Sequence, residues 1–571
     1  MRKVNLYVML PLFNYKVYNF ELIYGLLHVI RYFILKKNFP LKTFTQTKLI
    51  IYVSIFFMLF DNYSFFHNVL QVYPLNLQNI GFLISLAVIL VFLMIFLLSL
   101  FGYKYTLKPI LITLLLVSSL TNYFMNSFHT VIDASMIRNA LQTNIHESMD
   151  LFTLKLLVYF VLLGVLPSFF VYKAKIEYRP FKQEFFSRLK FIGFSLVVII
   201  ATFFLFSKFY TSFLREHKPL RYTVNPAYWM YSIGKYISLT FNDGKLVVKP
   251  IGLNAKVVND DNRSKLIIMV VGEAARADHF SLNGYKKETN PLLSKDNIVN
   301  FPNFYSCGTS TAESVPCMFS EYDKSDYSYK KGISTENVLD ILKHTQKVAI
   351  LWRDNNSDSK GVALRVRYED YKIPKNNTIC ENGECRDIGM LVGLDTFIKK
   401  NKGKNILIIL HQMGNHGPAY YKRYPAKFEK FKPTCKTNQL EDCTQEEIAN
   451  AYDNAILYTD YFLHQTIKFL KPYGKKYDTA MIYMSDHGES LGEGGVYLHG
   501  LPYFMAPSAQ IHIGSLMWFG KNMAKEINEK ALRKRKDNRY TQDDLFHTLL
   551  GIFDVKTKEY NKKLDILNNE H

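Results

Sequence analysis

Cysteine is absent from this 571-residue chain before Cys307. The six cysteines of the chain form three close pairs, Cys307/Cys317, Cys380/Cys385 and Cys435/Cys443. None of these pairs has the C-x-x-C spacing of a zinc–thiolate cluster, so three local disulfides are favoured over a structural zinc site. Because disulfides form and persist in oxidising compartments, we expect the second half of the chain to lie outside the cytosol.

Charge is absent from two long apolar stretches, residues 80–103 and 109–128, each of which is long enough to cross a bilayer. Residues 49–66, 156–172 and 191–210 are similar stretches with at most one charged residue each. The sequence therefore predicts five membrane spans. No short apolar run with a small-residue cleavage site opens the chain, so no cleavable signal peptide is predicted.

Lysine and arginine are scarce in alternate loops between these stretches. Residues 1–48 carry eight of them, residues 104–108 two and residues 173–190 six, whereas residues 67–79 carry none and residues 129–151 one. This alternation is the positive-inside pattern, and it predicts a cytoplasmic N-terminus. An odd number of spans then leaves everything after the fifth span outside the cytoplasm.

These patterns divide the chain into four parts. We expect a cytoplasmic N-terminal extension at residues 1–48, a transmembrane domain at 49–210, an interfacial linker at 211–263 and a globular domain outside the cytoplasm at 264–571. The net charge of +21 would suit nucleic acid. However, no nucleic-acid module is recognisable, and much of the excess flanks the apolar stretches, where it attracts anionic lipid headgroups. Membrane lipids, and not nucleic acid, are the predicted partners.

In residues 264–571, short apolar runs alternate with polar, helix-like stretches. This pattern predicts an α/β domain with a mostly parallel sheet covered by helices on both faces. The apolar runs at residues 266–271, 348–352, 406–410 and 480–484 predict four of its strands. Open sheets of this kind bind their ligands at the carboxyl ends of the strands.

Metal-binding side chains follow three of these runs. Glu273 comes just after the first run, His416 lies beyond the third, and Asp486 and His487 follow the fourth. Three protein ligands of these types with one open position make a catalytic zinc site. Each residue alone has an ordinary explanation as a cap or a polar turn. Because all of them are expected at the same edge of the sheet, a metal site is a better hypothesis than four unrelated caps or turns.

A hydroxyl-rich turn lies between the first cysteine pair. Thr309, Ser310 and Thr311 follow Gly308, where the start of a helix would offer unpaired backbone N–H groups to a phosphate. A metal-bound hydroxyl has a lowered pKa and becomes a nucleophile. A second metal, or protonated His416 and His499, would neutralise a transferring phosphoryl group. A helix cap remains the alternative interpretation of this turn.

A polar stripe is predicted between the spans. Asn139, Thr143 and Glu147 are four residues apart and line one face of a helix. This face would lie at the outer membrane surface, at the level of a lipid headgroup. From the spacing alone, a solvated helix face explains the stripe equally well.

Five sequence blocks resemble those of the phosphoethanolamine transferases, inner-membrane enzymes of Gram-negative bacteria that include the lipid A modifiers behind polymyxin resistance. The blocks are VVGEAARADHFSLNGY, CGTSTAESVPCMFS, DNNSDSKG, HQMGNHGPAYYKRYP and SDHGESLGEGGVYLHG. The resemblance extends from about residue 49 to the C-terminus. It implies five transmembrane helices and a periplasmic domain of the alkaline phosphatase/sulfatase-like type.

The resemblance also implies roles for individual residues. Thr311 matches the family's nucleophile, and Glu273, Asp486 and His487 match the ligands that hold zinc with it. The remaining matches are His416 and His499 near the phosphate or a second zinc, Ser357 and Lys360 at the phosphoethanolamine group, and Asn139, Thr143 and Glu147 at the membrane-side substrate contacts. The pairs Cys307/Cys317 and Cys435/Cys443 resemble family disulfides, whereas the tight Cys380/Cys385 pair and the N-terminal extension depart from the pattern.

The implied activity is that of a zinc-dependent phosphoethanolamine transferase with one firmly bound zinc and room for a second. Thr311 would take phosphoethanolamine from phosphatidylethanolamine and pass it to lipid A, a core sugar or an envelope protein. We expect a monomer embedded in the inner membrane.

Three other functions agree less well with the sequence. A sulfatase needs a cysteine or serine followed two residues later by proline and four later by arginine, and neither Cys307 nor Cys317 has these neighbours. A glycerol-phosphate polymerase also has five spans and a threonine nucleophile, but fits the blocks less well. A non-catalytic receptor built on a decayed enzyme predicts a lost ligand, whereas Thr311 and its three partners are all present.

Overall fold

The structure, a computed structural model, describes residues 43–143, 145–215, 217–241, 247–258, 263–381 and 383–568. The first 42 residues of the predicted extension therefore lie outside the described residues. The helices of the membrane half are α1 Gln46–Phe60, α2 Tyr63–Val72, α3 Ile80–Phe101, α4 Leu107–Phe128, α5 Ala134–Gln142, α6 Ile145–Asp150, α7 Leu154–Lys173, α8 Phe181–Leu205, α9 Ser207–Arg215 and α10 Ala227–Phe241.

Four of these helices, α3, α4, α7 and α8, are long and apolar enough to cross a membrane. The first predicted span is bent, because α1 and α2 meet at an angle of 54°. Asn62 lies at the bend and turns inward, where its Nδ2 donates a hydrogen bond to the carbonyl of Phe57 at 2.9 Å. A side chain that competes for a helix carbonyl is a usual cause of such a kink. Counted as one span, this bent pair brings the number of candidate crossings from four to the predicted five.

The last span begins and ends earlier than predicted. The sequence places it at residues 191–210, whereas α8 runs from Phe181, next to Pro180, to Leu205. The ten additional N-terminal residues include lysine, arginine, glutamine and glutamate, which favour helix but escape a search for apolar stretches. Beyond the break at Phe206, α9 begins at Ser207.

The catalytic domain is built on a seven-stranded sheet. Its strands are β1 Ser264–Gly272, β2 Ile298–Asn300, β3 Val348–Asp354, β4 Arg367–Asp370, β5 Asn405–His411, β6 Tyr477–Ser485 and β7 Ser515–Phe519. Their spatial order is β2-β7-β6-β1-β5-β3-β4. The five strands from β6 to β4 are parallel, and β7 runs antiparallel to both of its neighbours, β6 and the edge strand β2.

The four predicted strands are confirmed as β1, β3, β5 and β6, each slightly longer than its apolar run. The three strands that the sequence did not indicate, β2, β4 and β7, lie at or beside the edges of the sheet. β2 has only three residues and β4 (RYED) is charged, so neither forms an apolar run. β7 is buried throughout, but its apolar run, residues 516–519, is only four residues long.

Helices cover both faces of this sheet and bury two apolar clusters against it. They are α11 Thr311–Met318, α12 Tyr329–Ile333, α13 Val338–His344, α14 Leu394–Lys400, α15 Gln445–Leu470, α16 Ser508–Ile511, α17 Lys521–Glu526, α18 Glu529–Arg535 and α19 Asp543–Ile552. The predicted α/β class is confirmed. One cluster also contains Tyr123 and Phe128 from α4, so the end of this membrane helix packs into the catalytic domain.

Candidate active site

Thr311 opens α11, directly after the N-cap residue Ser310. The disulfide Cys307–Cys317 joins the preceding turn to this helix. The Thr311 hydroxyl donates a hydrogen bond of 3.0 Å to Oε2 of Glu273 and lies 3.4 Å from Nε2 of His487. The hydroxyl turn and the residues that follow two different strands therefore meet at one point.

The other four cysteines form two further disulfides. They are joined as Cys380–Cys385 and Cys435–Cys443, the pairs predicted from their spacing. Cys380 and Cys385 face each other across an antiparallel hairpin. Cys443 directly precedes Thr444, the N-cap of α15, so its disulfide ties the loop at Cys435 to the start of that helix. Because each pair closes a local loop away from the ligand cluster, its contribution is structural.

Three buried side chains form the base of the site. Glu273 follows β1, and Asp486 and His487 follow β6. Nε2 of His487 lies 3.4 Å from Oε1 of Glu273 and 3.4 Å from Oδ2 of Asp486. Burial, reinforced by the nearby Asp486 carboxylate, raises the pKa of Glu273 well above its usual value. Two carboxylates this close, removed from water, require a cation or a proton between them.

The donor atoms of this group fit a metal ion. One ligand atom from each of the three residues lies within 4.8 Å of the others. Within the described part of the chain, Oε1 of Glu273 and Oδ2 of Asp486 are buried and have no hydrogen-bond partner. Nδ1 of His487 lies 2.7 Å from the Gly488 carbonyl, which can only accept. Nδ1 must therefore carry the proton, which leaves the Nε2 lone pair for a metal.

Hydrogen bonds hold both carboxylates in place. Oδ1 of Asp486 accepts from the backbone N–H groups of Ala274 at 3.1 Å and His487 at 2.7 Å. Nδ2 of Asn356 donates to Oε2 of Glu273 at 2.8 Å. These partners leave the remaining oxygens of Glu273 and Asp486 facing His487.

Two further histidines stand beside this group. The rings of His487 and His499 are 4.2 Å apart between centroids, and those of His499 and His416 are 5.9 Å apart. Nδ1 of His499 lies 2.7 Å from Oε2 of Glu489. His487, Glu489 and His499 form a second group with the spacing of metal ligands.

The expected positive charge on His416 is not supported. Burial, together with the neighbouring Arg423 guanidinium, holds the pKa of His416 well below its usual value. A neutral imidazole suits a metal ligand or a hydrogen bond to substrate, whereas it does not neutralise a phosphoryl group. The structure therefore favours His416 as a ligand of a second metal or as a hydrogen-bonding group, and not as a protonated imidazole.

A cavity of about 400 Å³ leads from Thr311 to the membrane half. Its polar lining contains most of the predicted substrate-binding residues, namely Asn139, Thr143, Ser357, Lys360, His416 and His499. Its apolar wall comes from α4, through Val117, Leu120 and Phe124. The side chain of Glu147 lies outside the described side chains, so its contact stays a prediction. The cavity therefore joins a reactive hydroxyl to a lipid-facing helix.

Sequence reasoning missed two residues that organise this site. Asn356, which binds Glu273, is the second residue after the end of β3, so the expectation of ligand-binding residues at strand ends could have identified it. Gln542 precedes α19 and had no such signal. Its Nε2 donates to the carbonyls of Ser485 and Asp486, both at 2.8 Å, and its Oε1 accepts from Cys307 N at 2.7 Å. Gln542 thus ties the hydroxyl turn to the ligand loop.

Comparisons with known proteins cover both halves of the chain. Residues 90–241 match the family described as phosphoethanolamine transferase EptA/EptB, and residues 265–555 match the sulfatase family. The chain is 45% identical to phosphatidylethanolamine transferase Mcr-2 of Escherichia coli over 88% of its own length and 94% of the relative. It is 38% identical to phosphoethanolamine transferase EptA of Escherichia coli K12 over 89% and 93%.

A solved structure shares the complete architecture. The integral membrane lipooligosaccharide phosphoethanolamine transferase A of Neisseria meningitidis superposes with a TM-score of 0.88 at 35% identity, covering 92% of this chain and 99% of that one. The match includes the membrane helices as well as the globular domain, so both the fold and the arrangement of the two halves are shared.

Proposed function

The chain belongs to the phosphoethanolamine transferase family of the alkaline phosphatase superfamily, and on this premise we propose that it moves phosphoethanolamine from phosphatidylethanolamine to lipid A. A core sugar or an envelope protein is the alternative acceptor. The observation that carries the proposal is the cavity in which Thr311 faces the apolar wall of α4. A lipid donor can keep its acyl chains against such a wall while its phosphate reaches the hydroxyl.

Thr311 is assigned as the nucleophile of the first step. Its hydroxyl already donates to Oε2 of Glu273, so this carboxylate is placed to hold the proton as Oγ1 attacks. A bond forms between Oγ1 and the phosphorus, and the bond from phosphorus to the diacylglycerol oxygen breaks. The diacylglycerol leaves with a proton, and phosphoethanolamine remains on Thr311.

The second step returns Thr311 to its starting state. An oxygen of the acceptor attacks the same phosphorus, the bond to Oγ1 breaks, and the proton that the acceptor hydroxyl gives up restores the Oγ1 hydroxyl. His499, oriented through Nδ1 by Glu489, is placed to accept the proton of an acceptor hydroxyl. The two steps share one phosphorus position, so one site serves donor and acceptor in turn.

Glu273, Asp486 and His487, together with Thr311, are proposed to hold one zinc ion, and the histidines around His499 are proposed to offer room for a second. The unpartnered carboxylate oxygens and the tautomer of His487 support this assignment. A zinc ion there lowers the pKa of a bound hydroxyl and polarises phosphoryl oxygens.

The donor headgroup is proposed to lie between the two halves. Lys360 and Ser357 would contact the phosphoethanolamine group from the catalytic domain, and Asn139, Thr143 and Glu147 would contact it from α5 and α6. The hydrogen bond from the Ser310 hydroxyl to Oδ1 of Asn139, 3.4 Å long, already joins the two sides. Substrate there would add to contacts that already join the two halves, among them the packing of Tyr123 and Phe128 against the globular domain.

The membrane topology and the subunit state follow from the same premise. We propose a cytoplasmic N-terminus, five crossings and a periplasmic catalytic domain, which act as a monomer in the inner membrane. The charge distribution of the loops supports this orientation. The divisions at residues 1–48, 49–210, 211–263 and 264–571 remain our proposed domain limits.

Sulfatase chemistry does not fit, although the globular half matches the sulfatase family. Sulfatases convert a free cysteine or serine into their catalytic group. Cys307 and Cys317, the cysteines beside the hydroxyl turn, are joined in a disulfide. The hydroxyl of Thr311 is the group that points to the ligands.

Mass spectrometry of the full chain after incubation with phosphatidylethanolamine tests the proposal. We expect an added phosphoethanolamine on Thr311, which Thr311→Ala abolishes. Thr309→Ala serves as the matched control, because this hydroxyl donates instead to the Leu501 carbonyl at 2.7 Å. An adduct on Thr309 or Ser310 would overturn the assignment of the nucleophile, and the absence of any adduct would overturn the proposed reaction.

A further inference from the structure

A second cavity lies at the opposite end of the membrane half from Thr311. It has a volume of about 610 Å³ and lies between the turn that joins α3 to α4, the start of α1 and the first turns of α8. Six of its lining residues carry the argument below, and they are Tyr103, Lys104, Tyr178, Arg179, Glu184 and Arg188. None of them belongs to the proposed active site.

The lining of this cavity is cationic. Lys104, Arg179 and Arg188 face a single acidic side chain, Glu184. Arg188 donates through Nη2 to Oε1 of Gln46 at 3.1 Å, an uncharged partner. In the part of the chain that the structure describes, none of the three cations has a carboxylate within ion-pair distance. The cavity therefore holds positive charge that its own described residues leave uncompensated.

Aromatic rings orient two of these cations. The guanidinium of Arg188 lies 4.1 Å from the centre of the Tyr103 ring, and the Lys104 ammonium lies 5.6 Å from that of Tyr178. The hydroxyl of Tyr178 donates to the Lys104 carbonyl at 3.0 Å. Such contacts hold the charged groups in place without neutralising them. Lys104 and Arg188 are therefore held beside rings, and Arg179 lies exposed next to them.

The depth of the cavity matches the headgroup layer of a bilayer. It begins where α3 ends, and a helix of this length spans about 33 Å, close to the thickness of the hydrocarbon core. Tyr103, Tyr105 and Phe181 are exposed around it, as aromatic residues commonly are at membrane interfaces. With the topology proposed above, this interface belongs to the cytoplasmic leaflet.

We propose that this cavity binds the headgroup of an anionic phospholipid of the phosphatidylglycerol type. The phosphate would lie among Lys104, Arg179 and Arg188, and the glycerol and acyl chains would run along the exposed rings. Basic pockets between membrane helices on this side are a recurrent form of anionic lipid site. Phosphatidylethanolamine fits less well, because its ammonium group would meet the same cations.

The N-terminal segment of the chain is a poorer occupant on grounds of charge. Residues 1–42 contain several lysines and arginines and a single acid, Glu21. A basic segment and a basic cavity repel each other. Anionic lipid therefore remains the occupant that the observations favour.

Native mass spectrometry of the full chain in detergent tests the inference. Phosphatidylglycerol and phosphatidylcholine with identical acyl chains are added in equal amounts, and retained lipid is counted; phosphatidylethanolamine is left out because the proposed active site binds it as donor. We expect wild type to retain phosphatidylglycerol preferentially. Each removed cation should weaken this retention about five-fold, measured with Lys104→Gln, Arg179→Gln and the two combined. Both side chains are exposed, so the variants should fold.

A matched control removes the same charge nearby. Lys182 and Lys190 lie on the same helix as Arg188 but do not line the cavity, and each is replaced by glutamine. They should leave phosphatidylglycerol retention unchanged. The proposal would be contradicted if the control variants lost as much phosphatidylglycerol retention as Lys104→Gln and Arg179→Gln. Equal retention of the two lipids by wild type would also contradict it. Displacement by inorganic phosphate alone would show a general anion site and overturn the lipid assignment.

This inference rests on the proposed topology and not on the proposed chemistry. The phosphoethanolamine adduct on Thr311 can be measured in the same variants. Formation of the adduct without selective lipid retention would refute only the lipid site, and selective retention without an adduct would refute only the proposed reaction.

Discussion

Oδ2 of Asp150 lies 2.6 Å from Nη2 of Arg423, and this buried ion pair joins the membrane half to the catalytic domain. Nε of Arg423 donates to the carbonyl of His416 at 2.7 Å, and Nη1 donates to Glu384 at 2.8 Å. One guanidinium therefore links Asp150, the last residue of α6, to the turn that carries His416, a residue of the proposed active site. This ion pair holds the end of α6 against that turn.

Asp150→Asn should weaken both stability and transfer. Removing one partner from a buried ion pair costs about 3–5 kcal/mol, because the remaining charge loses its compensation. Glu384 still faces Arg423, so we expect the lower end of this range. The measurement is the apparent Tm of the full chain in detergent, together with the transfer rate. Lys430→Gln removes an exposed pair with Glu288 and should cost at most about 1 kcal/mol; similar losses in the two variants would contradict this role.

Asn356→Ala should reduce turnover while leaving the fold intact. Its amide donates both to Glu273 and to the Gln412 carbonyl at 2.7 Å, so it fixes the rotamer of a proposed ligand. Loss of such a supporting hydrogen bond lowers activity or metal affinity by about 10–100-fold. Transfer rate and bound zinc are measured side by side. Asn376→Ala, which removes a surface amide, is the control and should behave as wild type.

Removal of zinc should abolish transfer, and the proposed ligands should determine how much zinc is bound. Wild-type protein should carry about one firmly held zinc ion. Glu273→Gln and Asp486→Asn should lose it, because each substitution replaces a charged ligand by a neutral amide. Elemental analysis of purified protein gives the stoichiometry. Glu288→Gln, an exposed carboxylate far from the site, should retain the metal; wild-type protein that transfers phosphoethanolamine without metal would refute the zinc assignment.

His547 should make the catalytic domain less stable in acid. Burial lowers the pKa of this imidazole to about 4, and its Nδ1 accepts a hydrogen bond from Asn561 N at 3.2 Å, which requires the neutral form. Because the unfolded chain has the higher pKa, near 6.5, it binds more protons as the pH falls. Stability is therefore lost between about pH 6.5 and pH 4, by about 3 kcal/mol in total.

The His547 prediction is checked by unfolding the full chain at several pH values. His547→Gln keeps an acceptor but does not titrate, so the difference in stability between wild type and variant should shift in favour of the variant as the pH falls. His464→Gln offers a comparison at a histidine with a carboxylate partner, since Nδ1 of His464 lies 2.6 Å from Oδ2 of Asp296. A difference for His547→Gln that does not change with pH would rule out the proposed titration.

The elements that could be predicted are those whose residues carry a periodic or continuous apolar signal. β1, β3, β5 and β6 are buried on both faces, so their apolar runs mark them directly. The edge strands carry no comparable signal, and the bend at Asn62 depends on a carbonyl five residues away that its side chain reaches only when turned inward. Local sequence determines an element, whereas bending and edge pairing depend on neighbours.

The cysteines also show what local sequence predicts and what depends on tertiary packing. Close spacing was sufficient to predict each partner, because two cysteines five to ten residues apart meet whenever the chain turns between them. Spacing could not show which pair lies at the active site. Cys385 and Cys443 were placed away from it by the packing of a hairpin and of the start of α15, neither of which is local to Thr311.

The amino-acid sequence by itself determined the metal-ligand types, the three close cysteine pairs and the alternation of charge across five apolar stretches. Only the tertiary structure decided that Thr311, rather than Thr309, reaches Glu273, that His416 is held neutral, and that Gln542 joins two loops. The physical reason is that chemical type is a local property of a residue. Distance, burial and hydrogen-bond partner arise only when strands and helices far apart in the chain have packed together.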